Sequence, residues 1–139
     1  MNKPNTTELE KILTQAGKQD LEEILPALDN VSFTEYAEQL FTEKQLRKST
    51  VIRESLLDRN YAYQILQGTK TPGRDKVIQL AVAMSLTVEE CNRLLILSRN
   101  SPLYAKDQHD AIILFALSKH YTVMEINDML DEYELPVLG

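Results

Sequence analysis

Apolar residues recur at helical spacing along almost the whole chain. Between residues 7 and 28 they fall mostly three or four positions apart, with Gly17 as an interruption, and this spacing predicts one or two short helices. The same periodicity predicts further helices over 33 to about 45, 48 to about 57, 59–67, 74–84, 87–98, 107–119 and 122 to about 133. No window alternates apolar and polar residues as a half-buried strand would. The pattern therefore predicts an all-α fold.

Several predicted helix boundaries carry capping residues. Ser32 and Thr87 each stand three positions before a glutamate, the capping-box spacing in which both side chains satisfy free amides at the start of a helix. Asp58 is placed to cap the helix that begins at Arg59, and Gly68 suits the left-handed conformation that ends it. The chain is therefore expected to consist of short helices joined by tight turns.

Two stretches of the chain are similar at an offset of 35 residues. Between 75–95 and 110–130, eight of 21 positions are identical. The second helix pair either duplicates the first, or the two amphipathic pairs share a pattern by chance. Two copies are too few for a solenoid, which needs about three.

The composition is that of a folded protein, with 43% hydrophobic and 26% charged residues in 139. No run of 18 apolar residues is present, and no basic segment followed by an apolar stretch begins the sequence. A single cysteine, Cys91, cannot form an internal disulfide and suits a reducing compartment. We expect a soluble, cytoplasmic protein with no membrane partner.

Charge is unevenly distributed along the chain. The formal net charge is −6, which by itself argues against nucleic acid. The segment 47–76, however, contains seven basic and three acidic residues, a net charge of +4, so the rest of the chain carries −10. Because electrostatic attraction to phosphate acts within about 8–10 Å, a local basic segment is sufficient for a DNA-facing surface.

The sequence offers little catalytic or metal-binding chemistry. Cys91 lies on an apolar face, and His109 and His120 lie at opposite ends of one predicted helix, about 16 Å apart at 1.5 Å per residue, too far to share a metal ion. Neither a glycine-rich phosphate loop nor a zinc-protease motif is present. We expect no enzyme activity, no metal site and no cofactor.

The centre of the chain resembles a family of DNA-binding proteins. The sequence LDRNYAYQILQG at 57–68, followed by Pro72 and by LAVAM at 80–84, resembles the Xre or Cro/repressor family of helix-turn-helix regulators. In that family the inward positions fall where Ala62 and Ile65 stand. The resemblance implies a lambda-repressor-like helix-turn-helix bundle over 32–99, with an N-terminal helical segment over 1–31 and a C-terminal helix pair over 100–139 that packs on this domain or extends it.

The chain departs from the family pattern at three positions. Glycine is common in the turn where Leu56 stands, so this turn must either adopt another conformation or hold a leucine in a strained one. Ile52 replaces a frequent alanine, and Leu66 replaces a frequent glutamate.

The resemblance implies sequence-specific binding to double-stranded DNA by a bacterial or phage-type transcriptional regulator, with the helix 59–67 in the major groove. The residues expected to face the bases are Arg59, Asn60, Tyr63 and Gln64, and those expected to hold phosphates are Lys48, Thr69, Lys70 and Arg74. For each of them the alternative is an ordinary solvent-exposed position.

Two other functions are compatible with the sequence. The chain is either an Xre-like protein-interaction module, an adaptor or antirepressor without DNA binding, or a structural helical protein in which 58–68 is buried. The region 101–139 carries a charge of −5, and its apolar run over 111–117 exceeds one amphipathic stripe. We expect this region to serve assembly, as a homodimer contact, or to pack on the domain.

Overall fold

The computed structural model describes residues 6–28 and 30–139, and every regular element within them is helical. The prediction of an all-α fold is therefore confirmed. No helix in these residues is both long and apolar enough to cross a membrane. The α-helices of the described residues are α1 (Thr6–Gln15), α2 (Lys18–Ile24), α3 (Phe33–Glu43), α4 (Lys48–Ser55), α5 (Arg59–Gln67), α6 (Arg74–Ala83), α7 (Val88–Leu97), α8 (Gln108–Ser118) and α9 (Val123–Glu132), and a 3-10 turn, Leu25–Ala27, follows α2.

The chain divides into two compact units between Asn30 and Val31. In the first unit, α1, α2 and the 3-10 turn contain no buried residue. The apolar side chains of Ile12, Leu21 and Leu25 are exposed. The segment predicted over 1–31 includes residues 1–5 and 29, which lie outside the described residues.

The second unit is built around α6. Six consecutive residues of this helix, 77–82, are buried, as expected for a helix that is apolar on nearly all sides. The α6 helix packs against α4, α7 and α9, and α7 packs in turn against α3 and α8. The α6–α7 pair therefore lies between the α3–α4 pair and the α8–α9 pair, and all of them share one apolar core.

The predicted capping residues form hydrogen bonds at the starts of their helices. The Ser32 hydroxyl accepts a hydrogen bond from the Glu35 N–H at 3.1 Å, and the Asp58 carboxylate accepts from the Tyr61 N–H at 3.0 Å. Thr87 and Glu90 form both halves of a capping box. Because these bonds satisfy amides that have no partner inside the helix, they fix where α3, α5 and α7 begin.

Three helix pairs, α3–α4, α6–α7 and α8–α9, are joined by the same tight turn. Each turn contains one residue with positive φ, between 53° and 57°, and the next residue donates its N–H to a carbonyl near the end of the first helix. The positive-φ residues are Gln45, Ser85 and His120. None of them is glycine, so the sequence carries no conformational signal for this turn.

The similarity between the two stretches offset by 35 residues extends to their hydrogen bonds. Thr122 and Glu125 form the same capping box as Thr87 and Glu90. The Asn92 side chain accepts from the Leu103 N–H at 2.8 Å, and Asn127 accepts from the Leu138 N–H at the same distance. A shared apolar pattern does not require these polar contacts, so α6–α7 and α8–α9 are two versions of one structural unit.

Candidate nucleic-acid interface

The short helices α4 and α5 are joined by a turn of three residues, 56–58. Leu56 ends α4 with φ 63° and ψ 15°, in the left-handed region, and its side chain is 52% exposed. Of the two outcomes expected for this turn, the structure therefore adopts the strained leucine. Asp58, the last residue of the turn, caps α5, so α5 begins directly after the turn.

A buried polar contact from α6 holds this turn in place. The Gln79 Nε2 donates to the Ser55 carbonyl oxygen at 3.0 Å. The Ser55 hydroxyl donates to the Ile52 carbonyl at 2.6 Å and accepts from the Leu57 N–H at 3.3 Å. Both side chains are buried, so these bonds replace water contacts that the end of α4 would otherwise need.

One face of α5 is locked into the core. Ala62, Ile65 and Leu66 are buried, with at most 4% of each exposed. They lie at the spacing that places residues on one side of a helix. This confirms Ala62 and Ile65 as inward positions. A wholly buried 58–68 segment is excluded, because the opposite face of α5 is exposed.

The open face of α5 carries polar side chains with hydrogen-bonding capacity. Arg59, Asn60 and Gln64 are exposed. Tyr63 is partly buried against the core, and the Arg59 guanidinium carbon lies 5.8 Å from the centre of its ring. The structure therefore brings together the four residues predicted to face the bases, with Tyr63 also supporting Arg59.

The C-terminal end of α5 presents the next pair of predicted residues. Gly68 ends the helix with φ 86°, and a Cβ atom there would lie 3.2 Å from Thr34 Oγ1. Thr69 and Lys70 follow on the exposed surface. The Thr69 hydroxyl donates to the Gln64 carbonyl at 3.1 Å, whereas Lys70 lines a surface cavity of about 500 Å³ together with Arg99. The position of Arg99 on the same cavity as Lys70 was not predicted from the sequence.

Lys48 lies at the start of α4 with about 41% of its side chain exposed. Its ammonium group is paired with the Glu38 carboxylate and lies 5.9 Å from the centre of the Phe41 ring. A surface ion pair of this kind contributes little to stability. Lys48 is therefore held near the surface by Glu38, and a phosphate would have to displace this carboxylate to bind the lysine.

Arg74 lies in a different environment from the other predicted phosphate contacts. Its Nη1 and Nη2 atoms donate to the two Asp110 carboxylate oxygens at 2.8 and 2.7 Å. Its Nε and Nη2 atoms also donate to the Ser101 and Pro102 carbonyl oxygens at 2.9 and 3.0 Å. This fork of hydrogen bonds ties α6 to α8 and occupies the donors that a phosphate would need, so it points to a structural role for Arg74.

The charge state of this pair follows from its surroundings. Burial of Asp110 raises the pKa of its carboxyl, but hydrogen bonds from Arg74 and from the Tyr104 N–H outweigh burial and leave the pKa below its ordinary value. The hydrogen bond to Asp110 likewise raises the pKa of Arg74. The pair is therefore ionised at neutral pH.

Cys91 is completely buried, and this burial raises the pKa of its thiol to about 12. A thiol with so high a pKa is a poor nucleophile. Among the described residues no group of three or more histidine, cysteine, aspartate or glutamate side chains could hold a metal ion.

Comparisons with known proteins return no match of any kind. No family model, no curated protein and no solved structure matches this chain.

Proposed function

We propose that this protein binds double-stranded DNA in a sequence-dependent manner, with α5 in the major groove, as a transcriptional regulator. The observation that supports this proposal best is the division of α5 into two faces. Ala62, Ile65 and Leu66 anchor the helix, and the opposite face displays Arg59, Asn60 and Gln64 to solvent. A major groove admits one helix presented in this way. The resemblance to Cro/repressor proteins implies the same arrangement.

The exposed residues of α5 have the chemistry that base reading needs. Arginine forms two hydrogen bonds with the edge of guanine, and asparagine or glutamine forms two with adenine. Each such contact discriminates against a wrong base by about 1–3 kcal/mol. The ring of Tyr63, 5.8 Å from the Arg59 guanidinium carbon, reduces the freedom of the arginine before it meets DNA. Arg59 is therefore assigned to a guanine, and Asn60 and Gln64 to adenines.

Phosphate contacts are assigned to both ends of this two-helix segment. Lys70 lies just beyond α5 and is exposed, which suits the backbone of the duplex. The Thr69 hydroxyl beside it reaches a phosphate when it gives up its exposed bond to the Gln64 carbonyl. Lys48 at the start of α4 does so when it exchanges Glu38 for the nucleic acid. Arg74 is left out of this set, because its donors are bonded to Asp110, Ser101 and Pro102.

The experiment that tests the proposal is selection of bound sequences from a random duplex pool with the full-length protein. A regulator that reads bases enriches one short motif over successive rounds. A protein that only contacts phosphate retains the pool without enrichment. Failure to retain any duplex at low salt, where phosphate attraction is strongest, contradicts DNA binding altogether.

A second candidate function is a protein-interaction module without DNA binding. Leu56 favours it, since this leucine projects from the turn between α4 and α5 with half of its surface exposed, beside the face assigned to DNA. Retention on heparin separates the two candidates. A DNA-binding protein should be retained through the basic segment 47–76, whereas an adaptor has no need to bind a polyanion and should not be retained.

A further inference from the structure

The outer side of the α8–α9 pair contains an open apolar groove. It has a volume of about 620 Å³ and is lined mainly by Ile112, Phe115, Met129 and Tyr133. Phe115 and Tyr133 are 46% and 61% exposed. Large apolar side chains gathered in one concave surface are the usual mark of an interaction site.

The internal repeat shows that the corresponding face of the other helix pair is covered. Counting back 35 residues, Ile112, Phe115 and Met129 correspond to Val77, Leu80 and Leu94, each of which is at most 1% exposed. The α6–α7 pair is enclosed between α3–α4 and α8–α9. The α8–α9 pair has the same construction, and its groove lacks a helix pair to cover it.

The exposed side of α8 is complementary to itself. Ala111 and Phe115 lie four residues apart on one side of α8, and the residues that cap this helix, Asp107 and Lys119, continue the interval of four at its two ends. The contact of the Lys119 ammonium with the Phe115 ring, 5.7 Å from its centre, confirms that these two share a face. If two such helices lie antiparallel about position 113, small Ala111 of each faces large Phe115 of the other, and Asp107 of each lies at the end of the partner helix that carries Lys119.

We propose that two copies of this chain pair through their α8–α9 grooves around a two-fold axis on the outer side of α8, at the level of residue 113. Opposite charges, Asp107 and Lys119, come to the same end of the paired helices, and a large side chain meets a small one on each side of the axis. A two-fold contact covers both grooves at once and leaves neither open, as expected for a closed homodimer. This proposal is independent of DNA binding, since α8 and α9 lie outside the surface assigned to DNA.

The test is sedimentation of the full-length protein without DNA over a range of concentrations. The wild-type protein is expected to be a dimer at tens of micromolar. Phe115→Glu places a carboxylate in the groove and should raise the dissociation constant by more than about tenfold. Met124→Glu is the matched control, because Met124 is 62% exposed on α9 but does not line the groove, and it should leave the dissociation constant unchanged.

A swap of side-chain size tests the two-fold geometry itself. Ala111→Phe alone should weaken the dimer, because two phenylalanines would then meet, and Phe115→Ala alone should weaken it by removing the contact. The double variant restores one large and one small side chain at each contact and should recover most of the affinity. Circular dichroism identifies any variant that fails to fold. A monomeric wild-type protein, an equal effect of Met124→Glu, or a double variant no better than the single ones overturns the proposal.

Discussion

Arg59 and Gln64 are the residues on which base reading depends most directly under the proposed function. Arg59 opens α5 and Gln64 lies about one and a half turns later, both on the exposed side. Replacing either residue by alanine should relax the preference at particular base positions by about 1–3 kcal/mol. Binding of single-base variants of the selected duplex measures this effect.

Lys70 should behave differently because it is assigned to a phosphate. Lys70→Ala should weaken binding to all sequences alike and lower the salt slope of the binding constant by about one unit. Lys106→Ala is the control, since this exposed lysine lies in the loop before α8. A uniform loss for every sequence in the Arg59, Gln64 and Lys70 variants would refute the division of roles.

The negative charge of Asp110 should contribute strongly to the stability of the second unit. Asp110→Asn removes the negative charge beside Arg74, whose side chain is 27% exposed. We expect a loss of about 3 kcal/mol in the free energy of unfolding, the lower end of the range for breaking a buried ion pair. Denaturant unfolding measures it, with the exposed Asp128→Asn as a control that should change stability by less than about 0.5 kcal/mol.

The contribution of Asp110 should also depend on pH in a defined direction. The pKa of its carboxyl is lower in the folded protein than in the unfolded chain. Its contribution is therefore complete above the unfolded pKa and is lost as the pH falls through the folded pKa. The stability difference between wild type and Asp110→Asn should be constant near neutral pH and shrink in acid. A difference that grows as the pH falls contradicts this assignment.

At the scale of the elements, the turn between α4 and α5 contains a correctable strain. A leucine in the left-handed conformation costs about 1–2 kcal/mol, whereas glycine adopts it freely. Because Leu56 is half exposed, replacing its side chain by glycine loses few buried apolar contacts. Leu56→Gly should therefore raise the free energy of unfolding by about 1 kcal/mol.

Leu56→Ala is the matched variant for this prediction. Alanine shortens the side chain as far as possible while keeping the Cβ atom that causes the strain. Thermal unfolding of both variants separates the two effects. Equal stabilisation by alanine and glycine would show that the exposed leucine side chain, and not the backbone conformation, limits stability.

At the scale of the whole molecule, the C-terminal helices form part of the same core as α4 and α5. Ile113, Ile126 and Leu130 are completely buried, and Arg74 of α6 finds its acceptors on residues 101, 102 and 110. Ending the chain after Arg99 would expose this apolar surface and leave the guanidinium without those partners.

We therefore expect the chain cut after Arg99 to unfold without a cooperative transition. If a transition remains, its free energy of unfolding should be lower by at least about 3–5 kcal/mol, the cost of breaking a buried ion pair. Calorimetry of the shortened and full-length proteins measures the difference. A shortened protein that unfolds cooperatively at the same temperature would show that 31–99 is a domain in its own right.

The boundaries of the helices could be predicted from the sequence because local contacts decide them. Ser32, Asp58 and Thr87 satisfy amides within three residues of themselves, and Gly68 ends α5 through its own backbone freedom. The inward positions Ala62 and Ile65 were implied by the family resemblance and agree with helical spacing, since 3.6 residues per turn places them on one side together with Leu66. These features need no knowledge of distant residues.

Tertiary structure decided which charges are free and which faces are covered. Arg74 and Lys70 are both basic residues near the end of α5, yet one is bonded to Asp110, 36 positions away, and the other is exposed. Similarly, Leu80 and Phe115 occupy equivalent positions in the repeat, but Leu80 is buried whereas Phe115 is 46% exposed. The sequence determines local backbone geometry because its causes lie within a few residues, whereas burial and ion pairing depend on elements that meet only when the chain has folded.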